Sequence, residues 1–138
     1  MSELLFTYGT LKKNCTNHHY LKTSKFIGEA YTLKKFLLYH KGYPYIVPDK
    51  NGFSIKGELY EIDLNTFKQI DELEDYPEEY QKAKVEVIYK KEKKWEKTFS
   101  WLYFYPEKED GIKINKVKYN YFLKIFYFEW EENEIKRF

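Results

Sequence analysis

The sequence predicts an α+β domain, a small curled mixed β-sheet or β-barrel flanked by two or three helices. Three observations carry this. About five β-prone segments occur without strict strand–helix alternation. One further segment places apolar residues every three positions, as a helix does. A chain of 138 residues supports one sizeable core and is too short for two, so residues 1–138 read as a single domain.

Leu4-Leu5-Phe6-Thr7-Tyr8 is a short apolar run that stops at Gly9, the pattern of a buried strand. Asn17 to Lys22 suits a short helix. Gly28 to Tyr39, rich in Tyr, Phe, Leu and Thr, reads as a strand. Lys41-Gly42-Tyr43-Pro44 and Pro48-Asp49-Lys50-Asn51-Gly52 read as turns. Ser54 to Ile62 alternates through Ile55, Gly57, Leu59 and Tyr60 as a strand does. Asp63-Leu64-Asn65-Thr66 suits a helix N-terminus; the helix runs Asn65 to Asp75, with Pro77 as its stop. Tyr80 to Tyr89 and Thr98 to Tyr105 are strands joined by the charged Lys90 to Lys97, a solvated hairpin end. Asn115 to Phe128 stays open: Val117, Tyr121, Phe122, Ile125 and Phe126 fit a helical stripe, while their aromatic character suits a strand.

Composition excludes several function classes. The 24 basic and 22 acidic residues nearly cancel to +2 and are interspersed, so there is no basic face for nucleic acid. A single cysteine, Cys15, excludes an internal disulfide and a cysteine metal cluster. His18 and His19 are adjacent and lack a third ligand at metal spacing, so they read as surface residues and no metal is expected. No P-loop, dinucleotide fingerprint or nucleophile elbow is present, so no cofactor is expected. Met1-Ser2-Glu3 lacks the basic start of a signal peptide. No uncharged apolar run approaches the roughly 18 residues of a spanning helix. The expectation is a cytoplasmic protein with no membrane and no nucleic-acid partner. The aromatic segment Tyr119 to Trp130 is the expected surface of a homodimer.

Two features carry chemistry. With Phe67 at zero and about 100° per residue, Ile70 falls near 300°, Leu73 near 240° and Leu64 near 60°. Glu74 lands near 340°, inside the apolar sector, with Asp71 at its edge. A carboxylate buried there has its pKa raised, the condition for a general base near neutral pH. The alternative is that Glu74 sits in a fraying last turn and reaches water. The second feature is Tyr8-Gly9-Thr10-Leu11, directly after the first strand. A glycine there lets a ligand approach the backbone, and successive N–H groups form an anion-binding nest; an ordinary tight turn is the alternative. Tyr76, Tyr80, Tyr103 and Tyr105 are candidates to line a pocket.

Phe6-Thr7-Tyr8-Gly9-Thr10-Leu11-Lys12-Lys13, followed by Asn17-His18, resembles the opening of the γ-glutamylcyclotransferase-like (AIG2-like) family. Gly57-Glu58-Leu59-Tyr60-Glu61-Ile62, then Ile70-Asp71-Glu72-Leu73-Glu74, Pro77 and Tyr80, resembles its second signature. Thr10-Leu11-Lys12-Lys13 and the Asn that follows are closest to the γ-glutamylamine cyclotransferase branch. The resemblance implies a β-barrel with a pocket where the first loop meets the helix end, and closure of an L-γ-glutamyl group to 5-oxoproline with release of an amine or amino acid. It implies that Glu74 is the catalytic acid/base, that Tyr8, Gly9, Thr10 and Leu11 bind substrate, and that Tyr80 borders the pocket. The expected partner is a small γ-glutamyl compound. A non-catalytic binding module on the same fold is the competing reading. The chain departs from the family at Asn14, at Asp75, where glycine is frequent, and at Gln81-Lys82, where an arginine is common.

Overall fold

A computed structural model describes residues 1–132. Five strands close a barrel: β1 (Ser2–Thr7), β2 (Lys25–Thr32), β5 (Ser54–Asp63), β6 (Gln81–Lys91) and β7 (Lys94–Phe104). Their order is β1-β7-β6-β2-β5, and β5 returns to pair with β1. The closing ladder is antiparallel, Ser2 opposite Asp63 through Thr7 opposite Glu58, while β1 runs parallel to β7 at Leu5 and Trp101. Closure leaves these strands no long open edge.

The first strand is apolar at Leu4, Leu5 and Phe6 because both of its faces become buried toward its end. Phe6 points into the barrel with Leu59, Val87 and Leu102; Leu5 points to the other side, against Ile62, Phe67 and Ile70. That second cluster is the seat of α1 (Leu64–Leu73), the one α-helix among the described residues. Asp63 caps it, accepting the Thr66 N–H at 2.7 Å. Phe67 and Ile70 are its buried apolar residues, and Leu64, which falls in the apolar sector of the wheel, is 50% exposed.

Among the described residues the helical content is one α-helix plus a 3-10 turn at His18–Leu21, just below the predicted two or three helices. The tail, open between helix and strand in the sequence, is strand. Its aromatics form β9 (Lys118–Asn120) and β10 (Ile125–Phe128), an antiparallel pair whose second strand also runs beside Ser54 and Ile55 of β5. Tyr121 and Phe122, at the hairpin tip, are exposed. The predicted strand Gly28 to Tyr39 divides into β2 and β3 (Phe36–His40). Pro44–Pro48, partly assigned to turns, is β4, which pairs with β3 beside the short β8 (Ile112–Lys113).

The helix also stops before its expected breaker. Asp75 takes φ +51°, the left-handed residue that ends many helices, two positions ahead of Pro77. Glycine adopts that angle without steric cost. Asp75→Gly is thus expected to stabilise the fold by on the order of 0.5 kcal/mol, read as a rise of about 2 °C in Tm. Asn14, the other departure in the first loop, has φ +66°, which Asn tolerates.

Candidate active site

Tyr8, Gly9, Thr10 and Leu11 leave the end of β1 and form one wall of a cavity of about 230 Å³, while Leu73, Glu74, Glu79 and Tyr80 form the facing wall from the end of α1. The six residues that the resemblance implies, Tyr8, Gly9, Thr10, Leu11, Glu74 and Tyr80, line this single cavity, although 62 residue numbers separate Leu11 from Leu73. Its volume falls below the roughly 300–1,000 Å³ of pockets for drug-sized ligands, so it suits a group of amino-acid size.

Glu74 is the residue just past α1, and its N–H still donates to Ile70 at 2.9 Å. The side chain thus keeps its helical direction and is half-buried in the cavity rather than released to water. Among the described residues no side chain donates a hydrogen bond to its carboxyl. Burial, and then the charge of Glu79, push its pKa from 4.5 up to about 7. Asp75 is exposed and takes no part in that shift, so Asp75→Gly is expected to leave the Glu74 midpoint in place.

The carboxylate that does act on Glu74 is Glu79, which sequence reasoning missed. It is exposed, and Oε1 accepts from Tyr105 at 2.6 Å and from Tyr43. These two donors hold its pKa below the usual carboxylate range. Two carboxylates on one wall are driven in opposite directions, one held ionised and the other poised to exchange a proton. No local signal marks Glu79, because Tyr43 and Tyr105 reach it from distant segments.

The tyrosines are donors with assigned partners. Tyr8 donates to the Tyr103 carbonyl at 2.8 Å, Tyr80 to the Pro44 carbonyl at 2.6 Å, and Tyr103 to Asp71 at 2.6 Å. Burial raises the pKa of all three, so they remain protonated. Of the four pocket candidates, Tyr80 and Tyr103 reach the wall. Tyr105 stands behind Glu79, and Tyr76 is exposed. Lys82 bonds Asp71 at 2.8 Å and lies 4.1 Å from the Phe67 ring centroid. It braces the turn of α1 that precedes Glu74.

Gly9 is required for space rather than for an unusual backbone angle. A Cβ built there would stand 2.6 Å from Pro44 Cγ. The N–H groups of Gly9, Thr10 and Leu11 donate to no group among the described residues, as a nest open to a ligand requires. The loop curls over Asn17, whose N–H reaches the Thr10 carbonyl at 2.8 Å and whose Nδ2 reaches Thr10 Oγ1 at 2.9 Å. His18, read as a surface residue, is half-buried, and its Nδ1–H donates to the Leu11 carbonyl at 2.9 Å; His19 is exposed.

Among the described residues no helix is long and apolar enough to cross a membrane. The barrel is similar to that of a mouse AIG2-like protein, with a TM-score of 0.69 at 26% identity over 79% of this chain and 80% of that one. A provisionally named gamma-glutamylcyclotransferase of Methanocaldococcus jannaschii is 45% identical over 118 residues, which are 85% of this chain and 95% of that protein. One of Vibrio cholerae is 36% identical over 108 residues, 78% of this chain and 85% of that protein. The family model for gamma-glutamyl cyclotransferase, AIG2-like, matches residues 5–122. That span takes in both walls of the cavity, and the chain belongs to the gamma-glutamyl cyclotransferase, AIG2-like family.

Proposed function

We propose that the protein is a γ-glutamylcyclotransferase that closes an L-γ-glutamyl group to 5-oxoproline and releases an amine. The observation that carries the reading is a half-buried carboxyl with a pKa near 7 in an amino-acid-sized cavity also lined by Gly9, Thr10 and Leu11, whose N–H groups have no acceptor among the described residues. Glu74 takes a proton from the substrate's α-ammonium, and the freed amine attacks the γ-carbonyl carbon. A C–N bond forms to close the five-membered lactam. As the bond to the leaving nitrogen breaks, Glu74 returns the proton to it, and the ring nitrogen gives up its second proton, so that the amine departs as an ammonium. The amides of Gly9 to Leu11 hold the α-carboxylate or the developing oxyanion. The cavity folds the glutamyl chain into its reactive shape, a proximity effect that lowers a barrier by up to roughly 7–11 kcal/mol.

Membership of the family and the names of its relatives support the reaction type. The Thr10-Leu11-Lys12-Lys13 run supports an amine as leaving group. A panel of γ-glutamyl compounds, assayed for 5-oxoproline, tests the reading: release from at least one is expected. Tight binding of such a compound with no release would identify a binding module instead, and neither binding nor release would overturn the reading.

A further inference from the structure

Directly after the cavity loop stands the one charged side chain that is buried among the described residues, Lys12, 8% exposed. A buried ammonium is unfavourable unless it is paired and hydrogen-bonded. Its Nζ donates to the Trp130 carbonyl at 2.7 Å. Four residues further on, Thr16 repeats the connection, its N–H and Oγ1 donating to the Glu132 carboxylate at 3.0 and 2.7 Å. The carbonyl that Lys12 takes is a fixed one, because Phe128 and Trp130 are anchored in the interior at 2% and 3% exposure. Both acceptors, Trp130 and Glu132, lie beyond residue 122, where the match to the family ends.

We propose that Phe128–Glu132 is a strap that holds the Gly9–Thr16 loop in its binding geometry, with Lys12 and Thr16 as the positioning residues that fasten it. The consequence for affinity rests on the reading of Gly9 to Leu11 as the substrate-binding loop. The loop's other ties come from the barrel and from the residues that follow it: Lys13 N–H donates to Glu58 at 2.9 Å, Asn17 holds Thr10, and His18 holds the Leu11 carbonyl. Only the strap reaches the loop from the C-terminal segment. A displaced Leu11 would carry its N–H away from the ligand while leaving Glu74, on the facing wall, untouched. The strap therefore acts on substrate affinity and not on the proton transfer.

Lys12→Met tests this, since methionine keeps much of the apolar stem and removes the ammonium. Hydrogen exchange is expected to run roughly tenfold faster at the hydrogen-bonded loop amides of Lys12, Lys13, Cys15 and Thr16 and to stay unchanged in β6 and β7. KM is expected to rise roughly tenfold, with kcat within about twofold and the midpoint of its pH profile unmoved. Thr16→Val is expected to shift exchange and KM in the same direction by less. Unchanged loop exchange in Lys12→Met would overturn the strap. Faster exchange with an unchanged KM would overturn its bearing on affinity. Faster exchange in a protein whose wild type turns over no γ-glutamyl compound would support the strap and overturn the proposed function.

Discussion

Glu74→Gln is expected to reduce 5-oxoproline release by roughly 10²–10⁴-fold, the usual contribution of a positioned general acid/base, while binding of a γ-glutamyl ligand persists. Glutamine keeps the shape of the wall and cannot take a proton from the α-ammonium. In the wild type the rate should climb with pH through about 7 as Glu74 ionises, because the deprotonated form is the base. Stability should move the other way. The folded-state value lies above the ordinary 4.5, so the stabilisation that comes from a protonated Glu74 is complete below about pH 4.5. It is lost as pH rises through about 7. The loss amounts to at most about 3 kcal/mol, because the carboxyl is only half-buried. Glu74→Gln should abolish this slope and unfold at a higher temperature than wild type at pH 8. Steady-state rates and thermal unfolding across pH 5–9 on both proteins check the pair. Equal turnover by the two proteins would remove Glu74 from the reaction.

Gly9→Ala carries the second large effect. The added methyl carbon would stand 2.6 Å from Pro44 Cγ and 3.6 Å from its Cδ, and a proline ring cannot swing aside. The Pro44 carbonyl is in turn bonded to Tyr80 at 2.6 Å, so any movement of Pro44 disturbs the opposite wall. The loop must shift instead, and its open amides shift with it. Misplacement on this scale lowers kcat/KM by roughly 10²-fold, and overpacking costs about 1–3 kcal/mol of stability. Urea unfolding alongside steady-state kinetics checks both. A fully active Gly9→Ala would mean that the close approach to Pro44 is not what holds the loop in place.

Much of this site is legible in one dimension because its parts are local. A strand that stops at Gly9 places three consecutive amides at its end. A carboxylate at the wrong angle of a helical wheel is visible without knowing what packs against it. The same wheel misplaced Leu64, since periodicity reads the face of one element and not the extent of its neighbour: Leu64, the first residue of the helix, is left exposed although Thr66 and Phe67 of the same turn are buried. Pro77 looked like the helix stop, yet Asp75 ends it earlier through a backbone angle that no side-chain pattern reveals. The tail was undecidable because aromatic residues serve either element equally, and pairing with Ser54 and Ile55 decided for strands.

The chain's own pattern determined the α+β class, the strands that close the barrel, the cavity loop and the anomaly at Glu74, because each depends on residues within a dozen positions of one another. Tertiary structure alone decided the proton affinity of Glu74, the company of Glu79 with Tyr43 and Tyr105, and the burial of Lys12 under the Trp130 carbonyl. Desolvation and hydrogen bonding depend on which distant groups arrive at a site. That arrival is set by barrel closure and not by spacing along the chain.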